Sequence, residues 1–349
     1  MGKKALVLGG GAPNLTLMSG ALLAMEQAGV TFDVITMAGA GTVVGLVYLA
    51  PKYLPRQEAL ADTINFGVSD LIYSMWPINY KIFSKAGPSA DEFRAYWMSL
   101  PAVQAATYQY NLTEAQKLEA DWLLFEGAVL CPTDVSYFSG GMCAHAPFIE
   151  NIVDFDKLKA ATEDCYVNAY CIEDAATVSF PKSQVDLRHF RAALSFPFIY
   201  PPYMIDGKHY FEGAAVEPLN LADLVTDHGV DRVVLFDVLT KELIHRPRNL
   251  WDAYAQSIIL PLVANADKEL DIFLHWVQTG YWVHEVNPKI PPPPPIKPNV
   301  TPFVVEFDVP LEQRPFMLDW SRSNLQRLFD IGYQAGTKFC QQHGAQLIP

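Results

Sequence analysis

Phe32-Asp-Val-Ile-Thr-Met-Ala-Gly-Ala-Gly41 is the stretch on which the fold of this 349-residue chain turns. It begins as an apolar, β-branched run, passes at once into small residues, and continues into Val43-Val-Gly-Leu-Val-Tyr48, an apolar helical pattern. A buried strand that breaks sharply into a buried helix fits a sheet covered on both faces. Outward from it, Ala5-Leu-Val-Leu8, Cys165-Tyr-Val-Asn-Ala-Tyr-Cys-Ile172 and Arg232-Val-Val-Leu-Phe-Asp-Val-Leu239 are further strand-like runs. Helical patterns separate them, which predicts βαβ units, a mostly parallel sheet and helices on both sides.

Two regions interrupt that alternation. Between about residues 53 and 128 the sequence becomes aromatic-rich and helical, with Leu71-Ile-Tyr-Ser-Met-Trp76, Tyr80-Lys-Ile-Phe83 and Phe93-Arg-Ala-Tyr-Trp97. It reads as a helical insertion or cap within a single domain over 1–349. A second helical region, about 251–286, runs into Pro291–Pro295. Five prolines make neither helix nor inner strand, so 290–298 is expected to be a stiff linker before a last strand at Phe303-Val-Val-Glu-Phe307. No internal repeat is visible.

Composition narrows the function classes. Half of the residues are hydrophobic, enough for a substantial core, and 25 basic against 38 acidic residues leave a net charge of −13. That balance argues against nucleic acid or a strongly anionic membrane as the main partner. The first strand starts within a few residues of Met1, Leu6 stands where a myristoylation signal wants Ser or Thr, and no apolar run is long enough to span a membrane. Five irregularly spaced cysteines favour reduced thiols, so the chain is expected to be cytoplasmic. Gly9-Gly10-Gly11 lacks both the G-x-G-x-x-G pattern and a P-loop lysine, and no ligand spacing suggests zinc, so neither a cofactor nor a metal is expected.

Three stretches in order carry a resemblance. Lys4-Ala-Leu-Val-Leu-Gly-Gly-Gly11, with the small-residue helix that begins near Ser19, is the first. Phe32 to Tyr48 is the second. The third gathers Arg191-Ala-Ala-Leu-Ser-Phe-Pro197, Tyr210-Phe-Glu-Gly-Ala214 and Val216-Glu-Pro-Leu219, and Asp319 to Gly336 resembles a closing helix. Together they resemble the patatin-like phospholipases. The resemblance implies a three-layer α/β/α fold, a glycine-rich oxyanion loop, a G-x-S-x-G elbow bearing a serine nucleophile, and an aspartate that takes the serine proton.

The chain departs from that pattern at each of these positions. The elbow becomes Met37-Ala38-Gly39-Ala40-Gly41, so its first glycine and its serine are both replaced. The loop carries Asn14 and Leu15 where the family has arginine and glycine, and the aspartate becomes Glu212. Gly39 has no side chain with which to form an acyl-enzyme. Two readings stay open. In one, loss of the serine side chain and the longer acid are complementary changes, and Glu212 is a general base with the N–H groups of Gly10, Gly11 and Ala12 as oxyanion donors and Asn14 and Ala40 beside them. In the other, the chemistry is lost and the inherited apolar pocket serves a binding module. Either way the expected partner is an apolar or acyl small molecule, with a peripheral lipid interface at 71–83 and an oligomer as further expectations.

Other candidates have plainer readings. Ser19 and Thr42 lie near the lost elbow but fall on helices, where they pack or cap. Cys143 and His145 could in principle replace the nucleophile, yet a buried thiol and a surface histidine explain them more simply, and Cys131 and Cys171 offer nothing better. Asp206-Gly207 is expected to be a hairpin turn, and Glu217 either a polar support of the site or a loop charge.

Overall fold

The computed structural model describes residues 2–11, 14–107, 112–133, 136, 138–145, 151–221, 224, 229–280, 298–310 and 319–348. β1 (Lys3–Leu8) leads through the three glycines to α1 (Leu15–Gln27), and β2 (Val34–Met37) leads through Gly39 to α2 (Ala40–Leu49). All ten residues of α2 are buried, which explains a helix with no polar face. From Arg56 the chain is mainly helical: α3 (Arg56–Asp62), α4 (Asp70–Met75), α5 (Pro88–Ser99), α6 (Pro101–Thr107) and α7 (Glu114–Leu130). Within this stretch β3 (Ser84–Lys85) pairs antiparallel with β4 (Cys143–Ala144). Tyr80-Lys-Ile-Phe83, expected to be helical, is a turn instead. The Asn79 carbonyl accepts from the N–H groups of Ile82 and Phe83 while Asn79 Oδ1 takes that of Lys81, so the side chain closes a single turn locally.

The remaining elements are α8 (Phe155–Ala160), β5 (Asp164–Cys171), β6 (Ala176–Pro181), α9 (Leu187–Ala193), β7 (Tyr203–Ile205), β8 (Lys208–Glu212), β9 (Val230–Asp237), α10 (Leu250–Thr279), β10 (Thr301–Glu306) and α11 (Arg322–Leu347). The central sheet has the order β10-β9-β1-β2-β5-β8-β7, with β6 also on β5. β10, β9, β1, β2 and β5 are parallel; β6 and β8 run antiparallel to β5, and β7 antiparallel to β8. The fold is therefore mixed α/β, a mostly parallel sheet flanked by helices. The β7–β8 hairpin turns on Asp206 (φ 49°) and Gly207 (φ 86°), as the Asp-Gly pair leads one to expect.

α1 and α11 touch backbone to backbone. A Cβ on Gly20 would strike the Phe329 carbonyl, one on Gly332 the Leu17 carbonyl, and one on Gly336 would lie 2.5 Å from the Ala21 carbonyl oxygen. α10 ends at Gly280, in the left-handed conformation that closes many helices. Residues 281–286, the five prolines and all but the last residue of the expected 290–298 linker lie outside the described residues. All five cysteines are unbridged.

Candidate active site

β5 brings two strand ends together. Along one edge it pairs with β6, and along the other first with β2, as far as Met37 opposite Val167, and then with β8, from Glu212 opposite Ala169. β2 and β8 thus approach head-on over a single strand, and Gly39, just beyond the end of β2, sits beside Glu212 and Ala214 at the end of β8. Gly39 takes φ 49° and ψ −123°, a backbone conformation that only glycine adopts without strain. Its carbonyl accepts the Thr42 N–H at 2.9 Å, which starts α2 directly on the elbow.

The space beside Gly39 is already taken. A Cβ built there would fall on Glu212 Oε1 and lie 3.1 Å from its carboxyl carbon and 2.9 Å from the Ala214 methyl. The carboxyl group of Glu212 therefore occupies the place where an elbow side chain would begin. Gly41 is fixed for a related reason, since a Cβ on it would run into the Leu8 carbonyl at the end of β1. Met37 is accommodated because Gly45, one turn into α2, leaves room for its sulfur.

Among the described residues the Glu212 carboxyl has no hydrogen-bond or ion-pair partner. Burial alone pushes its pKa up to about 8, so it is protonated at neutral pH. Its exposed part faces a cavity of about 260 Å³ whose floor also includes Gly11, Asn14 and Ala40. Asn14 is 4% exposed and its Oδ1 accepts no hydrogen bond among the described residues. The N–H groups of Gly11 and Ala40 likewise donate to nothing among those residues. The floor thus combines a neutral acid, an amide oxygen and two backbone donors.

The expected oxyanion loop needs one correction. The Gly10 N–H donates to the Pro218 carbonyl at 2.9 Å, which withdraws it from the cavity, and a Cβ on Gly10 would stand 2.6 Å from that of Ala214. Gly10 is there for close approach to the Glu-Gly-Ala turn. Ala12 lies outside the described residues. Glu217 uses its main chain, its carbonyl accepting from Asn168 Nδ2 at 2.9 Å.

The walls above this floor are apolar. Ile78, Ile82 and Phe83 come from the helical stretch, Ile258, Ile259 and Leu262 from α10, and Phe196 and Tyr200 from the loop after α9. His145, expected at the surface, lines the cavity instead. Its ring stacks on Tyr200 with centroids 4.3 Å apart, and Nε2 lies 2.9 Å from Ser195 Oγ. Burial, with a smaller contribution from the Arg191 charge, lowers its pKa to about 4, so it is neutral. Cys143 does not line the cavity, and burial raises its thiol to about 11, which removes it as a nucleophile. Ser19 and Thr42 are fully buried in their helices. Arg191 and Tyr200 also line the cavity; Arg191 opens a stretch quoted above and Tyr200 follows it, and neither has a periodicity pointing inward.

The helical stretch is latched over the cavity by charge. Asp121 binds Lys81 Nζ at 2.6 Å, accepts the Ser69 N–H at 2.8 Å and faces Arg322 Nη2 at 3.6 Å. Lys81 also donates to the carbonyls of Asn65 and Gly67, and Val68 exchanges main-chain bonds with Trp320 and Arg322 at 2.9 and 2.7 Å. Trp320 is itself part of the cavity wall.

The family model for patatin-like phospholipases matches residues 6–225, which include the glycine loop, the elbow and Glu212. Among solved structures, VipD from Legionella pneumophila aligns with 98% of this chain and 67% of its own, at 13% identity and a TM-score of 0.39. No curated protein matches the sequence. Among the described residues no helix is long and apolar enough to cross a membrane.

Proposed function

The chain belongs to the patatin-like phospholipase family, and on that premise we propose that it acts on an acyl ester or thioester seated in the cavity, with Glu212 in place of the serine and aspartate pair. The observation that carries this reading is the position of the Glu212 carboxyl, which fills the place an elbow side chain would take. The apolar walls receive the acyl chain, and its carbonyl oxygen points to the N–H groups of Gly11 and Ala40, which stabilise the charge that develops on attack. Glu212, once ionised, takes a proton from the attacking water. A raised pKa makes it a stronger base while confining the reactive form to alkaline solution, so turnover rises with pH through about 8 and levels off above it.

Glu212→Gln tests this. The variant keeps the shape of the floor, and turnover of medium-chain esters or thioesters is expected to fall by about a hundredfold or more while ligand affinity persists. Turnover unchanged in the variant removes Glu212 from the mechanism. A second reading, a binding module without chemistry, is favoured by the same carboxyl being neutral at neutral pH; it requires ligand to bind and no probe to be turned over by the unaltered protein.

A further inference from the structure

We propose that Glu212 attacks acyl thioesters directly, forming a mixed anhydride with the acyl group, so that the replacement of serine by glycine moved the nucleophile from the elbow to the facing strand. This rests on the acyl-hydrolase reading above and replaces its water-first step for one class of substrate. Three observations point to it. Glu212 Oε1 overlies the position of an elbow side chain, so it sits where the family's attacking group would be carried. No residue among those described holds the carboxyl by a hydrogen bond or ion pair, which leaves its oxygens available. The residue following the elbow, Ala40, and the glycine loop at Gly11 line the same cavity, and their N–H groups donate to no carbonyl among the described residues, which suits them to serve attack from the elbow.

The step balances without any added reagent. An oxygen lone pair of the Glu212 carboxylate forms a bond to the thioester carbonyl carbon, and the carbonyl electrons move to the oxygen held by the Gly11 and Ala40 N–H groups. Their return breaks the carbon–sulfur bond, and the thiolate leaves and takes a proton from water. A water molecule then splits the anhydride, releasing the free acid and restoring the Glu212 carboxyl. Leaving-group chemistry selects the substrate. A thiolate, whose thiol loses its proton at about pH 8.5, is a far weaker base than an alkoxide, so it is expelled from the tetrahedral intermediate where an alkoxide is not.

The test uses the unaltered protein at a pH above 8 with two probes, the octanoyl thioester of N-acetylcysteamine and ethyl octanoate. During turnover hydroxylamine is added, the protein is digested, and Glu212 is examined by mass spectrometry for conversion to its hydroxamate, the product of trapping an anhydride. The expected result is a hydroxamate on Glu212 with the thioester, none with the oxyester, and none in Glu212→Gln. Thioester turnover without a hydroxamate on Glu212 overturns the covalent step and leaves the hydrolase reading standing. Absence of turnover with both probes overturns the two together.

Discussion

At the floor of the cavity, where β1, β2 and β8 end, glycine backbone packs directly on neighbouring atoms; in the helical stretch above it, charged side chains reach across space. Gly10, Gly39, Gly41 and Gly45 each leave room for a neighbouring atom that a methyl group would displace. The stretch from Arg56 to Leu130 is instead held by Asp121, which gathers a lysine, an arginine and a backbone N–H from three places in the chain. The two regions fail differently. A floor set by shape tolerates no added atom, whereas the latch above depends on every charge being matched.

The largest effect is expected at the latch. Asp121→Ala leaves Lys81, 7% exposed, without its counter-charge, and loss of one partner from such a pair costs about 3–5 kcal/mol. Chemical denaturation should show that loss, and Asp121→Asn, which keeps the shape, should remain nearly as damaging. If Asn restores most of the stability, shape governs the latch too and the contrast fails.

At the floor the expected effect depends on its neighbour. Gly39→Ser adds atoms where Glu212 lies and forces a side chain onto φ 49°, each a cost of about 1–3 kcal/mol. Shortening the acid in Gly39→Ser with Glu212→Asp removes the collision and leaves the backbone strain. The double variant should therefore be more stable than Gly39→Ser alone, with a coupling of about 1 kcal/mol or more between the two sites. Additive changes in melting experiments would mean that serine and Glu212 do not compete for the same space. Weak esterase activity at most is expected from the double variant, since the Gly10 N–H remains bonded to the Pro218 carbonyl and is withheld from an oxyanion.

The smallest effect is electrostatic and sharpens what charge means at the floor. In the unfolded chain Glu212 ionises near its ordinary value of about 4.5, while in the folded protein it keeps its proton until about 8. The folded state thus binds the extra proton between those values, and stability falls as pH rises through that window. Glu269 behaves alike, raised to about 8 by burial although it accepts the Leu219 N–H at 2.8 Å. Glu212→Gln should remove one of these two contributions, so that its stability falls less steeply with pH and the curves part most near pH 8. Parallel curves would place the Glu212 carboxyl in contact with solvent or a cation.

The sequence made the strands, the elbow and the Asp206-Gly207 hairpin legible because each depends on neighbours in the chain: β-branched runs, small residues at a turn, an Asp-Gly pair. It also singled out Gly39 and Glu212 as two changes that fit one another. What it could not convey is that β8 follows β2 along the same edge of β5, because register between distant strands leaves no local pattern. The capture of the Gly10 N–H by Pro218 and the turning of His145 toward Tyr200 were hidden for the same reason. The turn at Tyr80 was misread because aromatic residues suggest a buried helix, whereas one asparagine side chain was enough to stop it.

The glycine seam between α1 and α11 has a consequence for how the chain is made. Every residue of α1 from Leu15 to Met25 is buried in the finished fold, yet α1 leaves the ribosome before α11, and β1 has β2 available on one side but must wait for β9 on the other. The backbone that fits against Gly20 belongs to the last helix translated among the described elements. Contacts between such distant residues form slowly, since a long loop must close before they can be made. Until β9 and α11 have been made, one edge of β1 and the glycine face of α1 lack the elements that cover them, and in that interval the growing chain is open to aggregation.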